Sequence, residues 1–135
     1  MVNYIAIIVA SIVSFVIGML WYSPLLFGNL WMKSAGLSKE KIGKAKKKGM
    51  GKTILIAFLT TVIMVYVLGY LLNILNYNDA ISGAIIGFLV WLGFLATTGL
   101  GRVLWEGKSF SFYLINTLHE LVSLVVIGAI LGAWG

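Results

Sequence analysis

Four long apolar stretches, separated by short polar breaks, set the pattern of this chain. They run from about Val2 to Tyr22, Thr53 to Leu75, Ala80 to Leu100 and Phe110 to Trp134. Each is long enough to cross a hydrocarbon core of about 30 Å, which takes roughly 20 helical residues. The runs are continuous and do not alternate apolar with polar, so helices are predicted and barrel strands are not. The expected fold is an all-α integral membrane protein. It is a single domain over residues 1–135, with four transmembrane helices in an antiparallel bundle. The first stretch lacks a charged leading region, and WYSP is a poor cleavage site, so it reads as a retained helix.

The break after helix one reads GMLWYSPLLFGNLWMKSAG, residues 18–36. Pro24 removes a backbone donor and is expected to end the helix near Tyr22–Ser23. Beyond it, Leu25, Leu26, Phe27, Leu30, Trp31 and Met32 predict a short segment lying along the membrane surface. LSKEKIGKAKKKG then predicts a brief helix capped by Ser38 and stopped at Gly49. Trp21, Tyr22, Trp31, Trp105 and Trp134 stand at segment ends, where amphipathic rings suit the water interface.

Composition agrees with the pattern: 61% of residues are hydrophobic, 10% are charged, and the mean hydropathy is +1.04. A soluble domain of 135 residues has too little interior to hide so much apolar surface. The charge is segregated. Eight lysines, Lys33, Lys39, Lys41, Lys44, Lys46, Lys47, Lys48 and Lys52, lie between helices one and two. Arg102 and Lys108 lie between helices three and four, and the opposite side shows only Asp79. Positive loops stay inside, so loops 33–52 and 101–109 are expected in the cytoplasm and both termini outside the plasma membrane. Lys44, Lys46, Lys47, Lys48 and Lys52 are then placed against anionic lipid headgroups.

KKKGMGKT, residues 46–53, ends like a phosphate-binding loop, but the first glycine of G-x-x-x-x-G-K-[ST] falls on Lys46. No buried strand precedes it, so nucleotide binding is not expected. A net charge of +6 without a soluble basic domain does not point to nucleic acid. With no cysteine there is no disulfide or thiolate metal site.

Helices in lipid associate where small residues let backbones approach. Ala6, Ala10, Ser14 and Gly18 form such a stripe on helix one at four-residue spacing. Gly83 and Gly87 mark helix three, and Gly128 and Gly132 mark helix four. Packing within one subunit and a homo-oligomer both use these stripes; their number favours the oligomer.

The candidate polar site is in helix four, FYLINTLHELVSLVVIGAILGAW. His119 and Glu120 sit about ten residues in, roughly 15 Å along the helix. Asn116, Glu120 and Ser123 share a face, with His119 on its edge. A carboxylate at that depth must be protonated, paired or turned to a water-filled cavity. One reading is a neutral hydrogen-bond clasp joining Asn116, His119 or a threonine; the other is a proton or cation site. Thr60, Thr61, Thr97 and Thr98 either add polar lining or bond their own helices. Arg102 and Glu106 stand at salt-bridge spacing if helix three continues that far.

GMLWYSPLLFGNLW, KKKGMGK, LWEGKSFSFYLIN and LVSLVVIGAILGAW, in this order, resemble the small membrane proteins catalogued as domain of unknown function 1761. The resemblance covers essentially the whole chain. It implies four membrane helices and brings no catalytic residue, cofactor or substrate. Without a nucleophile–base pair, metal cluster or phosphate cradle, the chain is not expected to be an enzyme. It reads first as a non-enzymatic oligomeric module binding lipid or a partner protein. The alternative is a small channel or transporter for protons, cations or a small hydrophobic solute, using Glu120 and His119.

Overall fold

The computed structural model describes residues 3–23, 25–35 and 50–134, and all its regular structure is helical. Helix α1, Tyr4–Trp21, starts where the Asn3 side chain accepts from the amides of Ile5 and Ala6, at 3.0 and 3.2 Å. It stops at Tyr22, as the Trp-Tyr-Ser-Pro sequence requires. The chain then folds back tightly, with the Phe27 amide donating to the Trp21 carbonyl and the Gly28 amide to the Ser23 carbonyl. A Cβ on Gly28 would stand 2.7 Å from the Ser23 carbonyl, so only glycine fits that turn. The short helix α2, Gly28–Ala35, follows where the surface segment was expected. The brief helix expected from Ser38 to Gly49 lies outside the described residues.

Helix α3, Met50–Ile74, starts one turn before the expected Thr53. Asn76 ends it with φ +59°, and the Tyr77 amide reaches back to the Leu72 carbonyl. That is a Schellman stop, with asparagine taking the left-handed position. Asp79 caps helix α4, Ala80–Trp105, by accepting from the Ser82 amide at 2.9 Å. Helix α4 runs past the expected end at Leu100 and is π-helical over Trp91–Ala96. Gly101–Trp105 is therefore helical, and the expected loop 101–109 shrinks to its last few residues. Helix α5, Phe110–Trp134, has the expected bounds.

Helices α1, α3, α4 and α5 are long and apolar enough to cross a membrane. Their outward faces are as apolar as their inward ones: Ile63, Ile81 and Phe94 are among many large side chains left exposed. Water does not tolerate such a surface; lipid does. This is a membrane protein with four candidate spans.

The helices meet tightly at one end of the bundle and spread at the other. Along α4 and α5 the contacts run in opposite directions: Asp79 meets Gly132, Gly83 meets Gly128, and Gly87 meets Leu124. At Gly83 and Gly128 the backbones lie so close that a Cβ on either would strike the partner's carbonyl. The same end holds the buried apolar core of Ile7, Ala10, Val65, Leu68, Leu124 and Ile127. These residues come from the first half of α1 and the second halves of α3 and α5. The opposite end, toward Tyr22, Ile54 and Arg102, is where the bundle opens.

Candidate functional site

Two cavities lie in the open half. The larger, about 630 Å³, is lined by α1, α3, α5 and one residue of α4. Phe15, Met19, Ile54, Met64 and Leu124 make most of it apolar, while Ser14, Thr61, Tyr22, His119, Glu120 and Ser123 supply polar atoms. The smaller, about 290 Å³, lies between the second half of α4 and the first half of α5. Thr98, Arg102, Tyr113, Asn116 and Thr117 make it polar. Glu120 and Leu95 line both.

The lining follows from local sequence. His119 has room because Gly18 of α1 faces it: a Cβ there would stand 3.3 Å from Nε2. The imidazole is flanked by the rings of Tyr22, at 5.1 Å, and Trp21, at 6.0 Å. Its Nε2 lies 3.4 Å from the Ser123 hydroxyl, one turn along α5. The Tyr22 hydroxyl donates to Asn116 Oδ1 at 2.6 Å, and the Trp21 indole N–H donates to the Ile115 carbonyl at 2.9 Å. These two bonds fasten the end of α1 to α5. Trp21 and Tyr22, expected as surface anchors, thus turn their polar tips inward, where carbonyl and amide acceptors satisfy them. Trp31 packs on Tyr22 at 5.4 Å, while Trp105 and Trp134 are exposed at helix ends.

The clasp predicted around Glu120 is taken over by its neighbours. Asn116 pairs with Tyr22 and His119 approaches Ser123, while among the described residues the Glu120 carboxyl has no hydrogen-bond partner. It is turned to the cavities instead. Arg102 shares the smaller cavity with it. Among the described residues no Arg102–Glu106 ion pair closes within 4.0 Å.

The four threonines bond their own helices. Thr60 and Thr61 donate to the Ala57 carbonyl, Thr97 to Gly93 and Thr98 to Phe94. Thr61 and Thr98 nevertheless line the cavities. Among the described residues no three of His, Asp and Glu gather as a metal-ligand set.

Three contributors were not foreseen. Trp91 opens the π-helical segment and donates its indole N–H to the Thr117 carbonyl at 2.7 Å. Tyr113 donates to the Ala96 carbonyl at 2.6 Å, at the end of that segment. Leu95, inside it, divides the cavities. A tryptophan and a tyrosine inside apolar runs were the available signal, since each brings a donor that needs an acceptor. Nothing in the local sequence marks the π-helix itself.

The small-residue stripes are used within the chain. Ala6, Ala10 and Ser14 are buried, Gly18 faces His119, and Gly83 and Gly87 lie on the helix of Gly128 and Gly132. Lys52 is exposed, and Lys44, Lys46, Lys47 and Lys48 lie outside the described residues.

A family model described as protein of unknown function, DUF1761, matches residues 5–132. No curated protein and no solved structure matches the chain. The family match spans nearly the whole sequence and fits the four apolar helices: the chain belongs to the DUF1761 family of proteins of unknown function.

Proposed function

We propose that this protein is a non-enzymatic membrane module that binds a small amphiphile inside its own helix bundle. The carrying observation is the larger cavity, apolar through most of its wall and ending on His119 and Glu120. At about 630 Å³ it falls within the roughly 300–1,000 Å³ typical of small-molecule sites. An apolar body fits among Phe15, Met19 and Met64, and a polar head fits at Glu120. A homo-oligomer draws no support from the small-residue stripes, because contacts inside the subunit occupy them. The lysine-rich loop is read as the cytoplasmic side, with anionic headgroups as its neighbours and the termini outside.

A transporter is the second reading, favoured by the meeting of an apolar and a polar cavity at one carboxyl group. Both cavities, however, lie in the same half of the bundle, and the glycine seam and the apolar core fill the other half. Binding needs no opening of that seam, whereas transport does.

Aminoanthracene fluorescence with the protein in nanodiscs tests the binding reading. The probe is expected to brighten and saturate, and Ser14→Leu with Thr61→Leu, which fill the cavity, to abolish the signal. Ile63→Leu, on the exposed face, is expected to leave it unchanged. An equal signal from the filled variant overturns the reading.

A further inference from the structure

We infer that the head of the bound amphiphile is a protonated amine seated against Glu120, an inference that rests on the binding reading above. The hydrogen-bond inventory of the larger cavity carries it. The Tyr22 hydroxyl proton is committed to Asn116, and the Thr61 hydroxyl proton to the Ala57 carbonyl. What these groups still offer the cavity is lone pairs. Among the described residues Glu120 is the one carboxyl in the lining, and it has no hydrogen-bond partner. Among the described residues no lysine or arginine lines this cavity; Arg102 lines the smaller one, which Glu120 also lines. His119, the one group among the described lining residues that can become a cation, is already near Ser123. Among the described residues the lining is therefore rich in acceptors and holds no fixed positive charge.

An ammonium brings three N–H donors and no acceptor, which matches that surplus. Tyr22 and Phe15 in the same lining are aromatic, the side-chain type that attracts a cation. A carboxylate or phosphate head would meet Glu120 in a lining whose described residues include no lysine or arginine, and a purely apolar head would leave the acceptors without donors. The same ammonium chemistry is carried by a free amine and by an ethanolamine lipid headgroup.

The test is a titration of the protein in phosphatidylcholine nanodiscs with phenylbutylamine, phenylbutanol and phenylbutyric acid, with empty nanodiscs as the partition blank. The amine is expected to bind at least about tenfold more tightly than the alcohol, the gain from one charge-assisted contact, and the acid most weakly. Glu120→Gln is expected to bring the amine's affinity down to the alcohol's, and an unaltered circular dichroism spectrum and thermal melt check that the variant folds. If that variant does not fold, the ranking on the unaltered protein decides. Repeating the amine titration with phosphatidylethanolamine present separates the sources: weakened binding assigns the head to the lipid, and unchanged binding to a free amine. An alcohol binding as well as the amine, or an acid binding better, overturns the amine inference and leaves the binding reading standing. If none of the three binds, both fall.

Discussion

Leu95 and Glu120 stand on facing helices and form the shared wall of two cavities, one apolar and one polar. Leu95 is in the π-helical segment of α4, and Glu120 is one turn beyond Asn116 on α5. A carboxyl group at this depth is costly when enclosed by hydrocarbon and much less so beside a polar cavity holding Arg102. The π-helix sets the position of Leu95 and is held at either end by Trp91 and Tyr113, both bonded to or from α5. The site is thus a product of the α4–α5 contact as much as of the residues lining it.

The glycine seam that closes the other half is expected to resist any side chain. Gly83→Ala or Gly128→Ala drives a methyl into the partner backbone and should cost roughly 1–3 kcal/mol, the usual range for overpacking. Gly93→Ala, with nothing within 4 Å of the new Cβ, should be neutral or mildly stabilising. Reversible unfolding in mixed detergent micelles measures all three; equal effects would contradict the seam.

Tyr22 and Asn116 are expected to act as a pair. Tyr22→Phe leaves Asn116 Oδ1 without its donor and should cost about 1 kcal/mol, as should Asn116→Ala. The double variant should cost clearly less than the sum of the two, and the same unfolding assay gives that coupling.

Asp79 lies outside the spans, and the Ser82 backbone N–H, with the Ser82 hydroxyl, holds its carboxyl below its ordinary value of 3.8. A lowered folded value means that the capping contribution is complete above the ordinary value and is lost as pH falls through the lower one. Hydrogen exchange of the Ser82 amide should therefore lose protection in that acid window. Asp79→Asn, which accepts without titrating, should show no such step.

The chain has no cysteine, so introduced thiols report topology without background. An impermeant thiol reagent on intact cells should label Asn78→Cys and spare Lys108→Cys. The opposite pattern would reverse the proposed orientation.

Much of the fold was legible because lipid imposes simple terms. Apolar length gave the four helices, and α1 stops at Tyr22, where the Trp-Tyr-Ser-Pro sequence puts its end. The glycines at 83, 87, 128 and 132 were legible as contact points, but a stripe does not say which helix it meets. His119, Glu120 and Ser123 were found by their polarity at depth, whereas their partners were not. Which ring flanks an imidazole, and which donor reaches Asn116, depends on helix rotation across about 94 residues of chain separation. The π-helix stayed hidden because its supports, Thr117 and Tyr113, belong to another helix.

Photolabelling tests the central claim, that an amphiphile occupies the bundle beside Glu120, most directly. Protein in nanodiscs is irradiated with a phenylalkylamine bearing a diazirine, with and without excess phenylbutylamine, and the adducts are mapped by mass spectrometry. Competable adducts are predicted within residues 14–22, 54–64 and 119–124, the three segments that wall the larger cavity. Adducts confined to outward residues such as Ile12, Ile81 and Phe94, unchanged by the competitor, would contradict it.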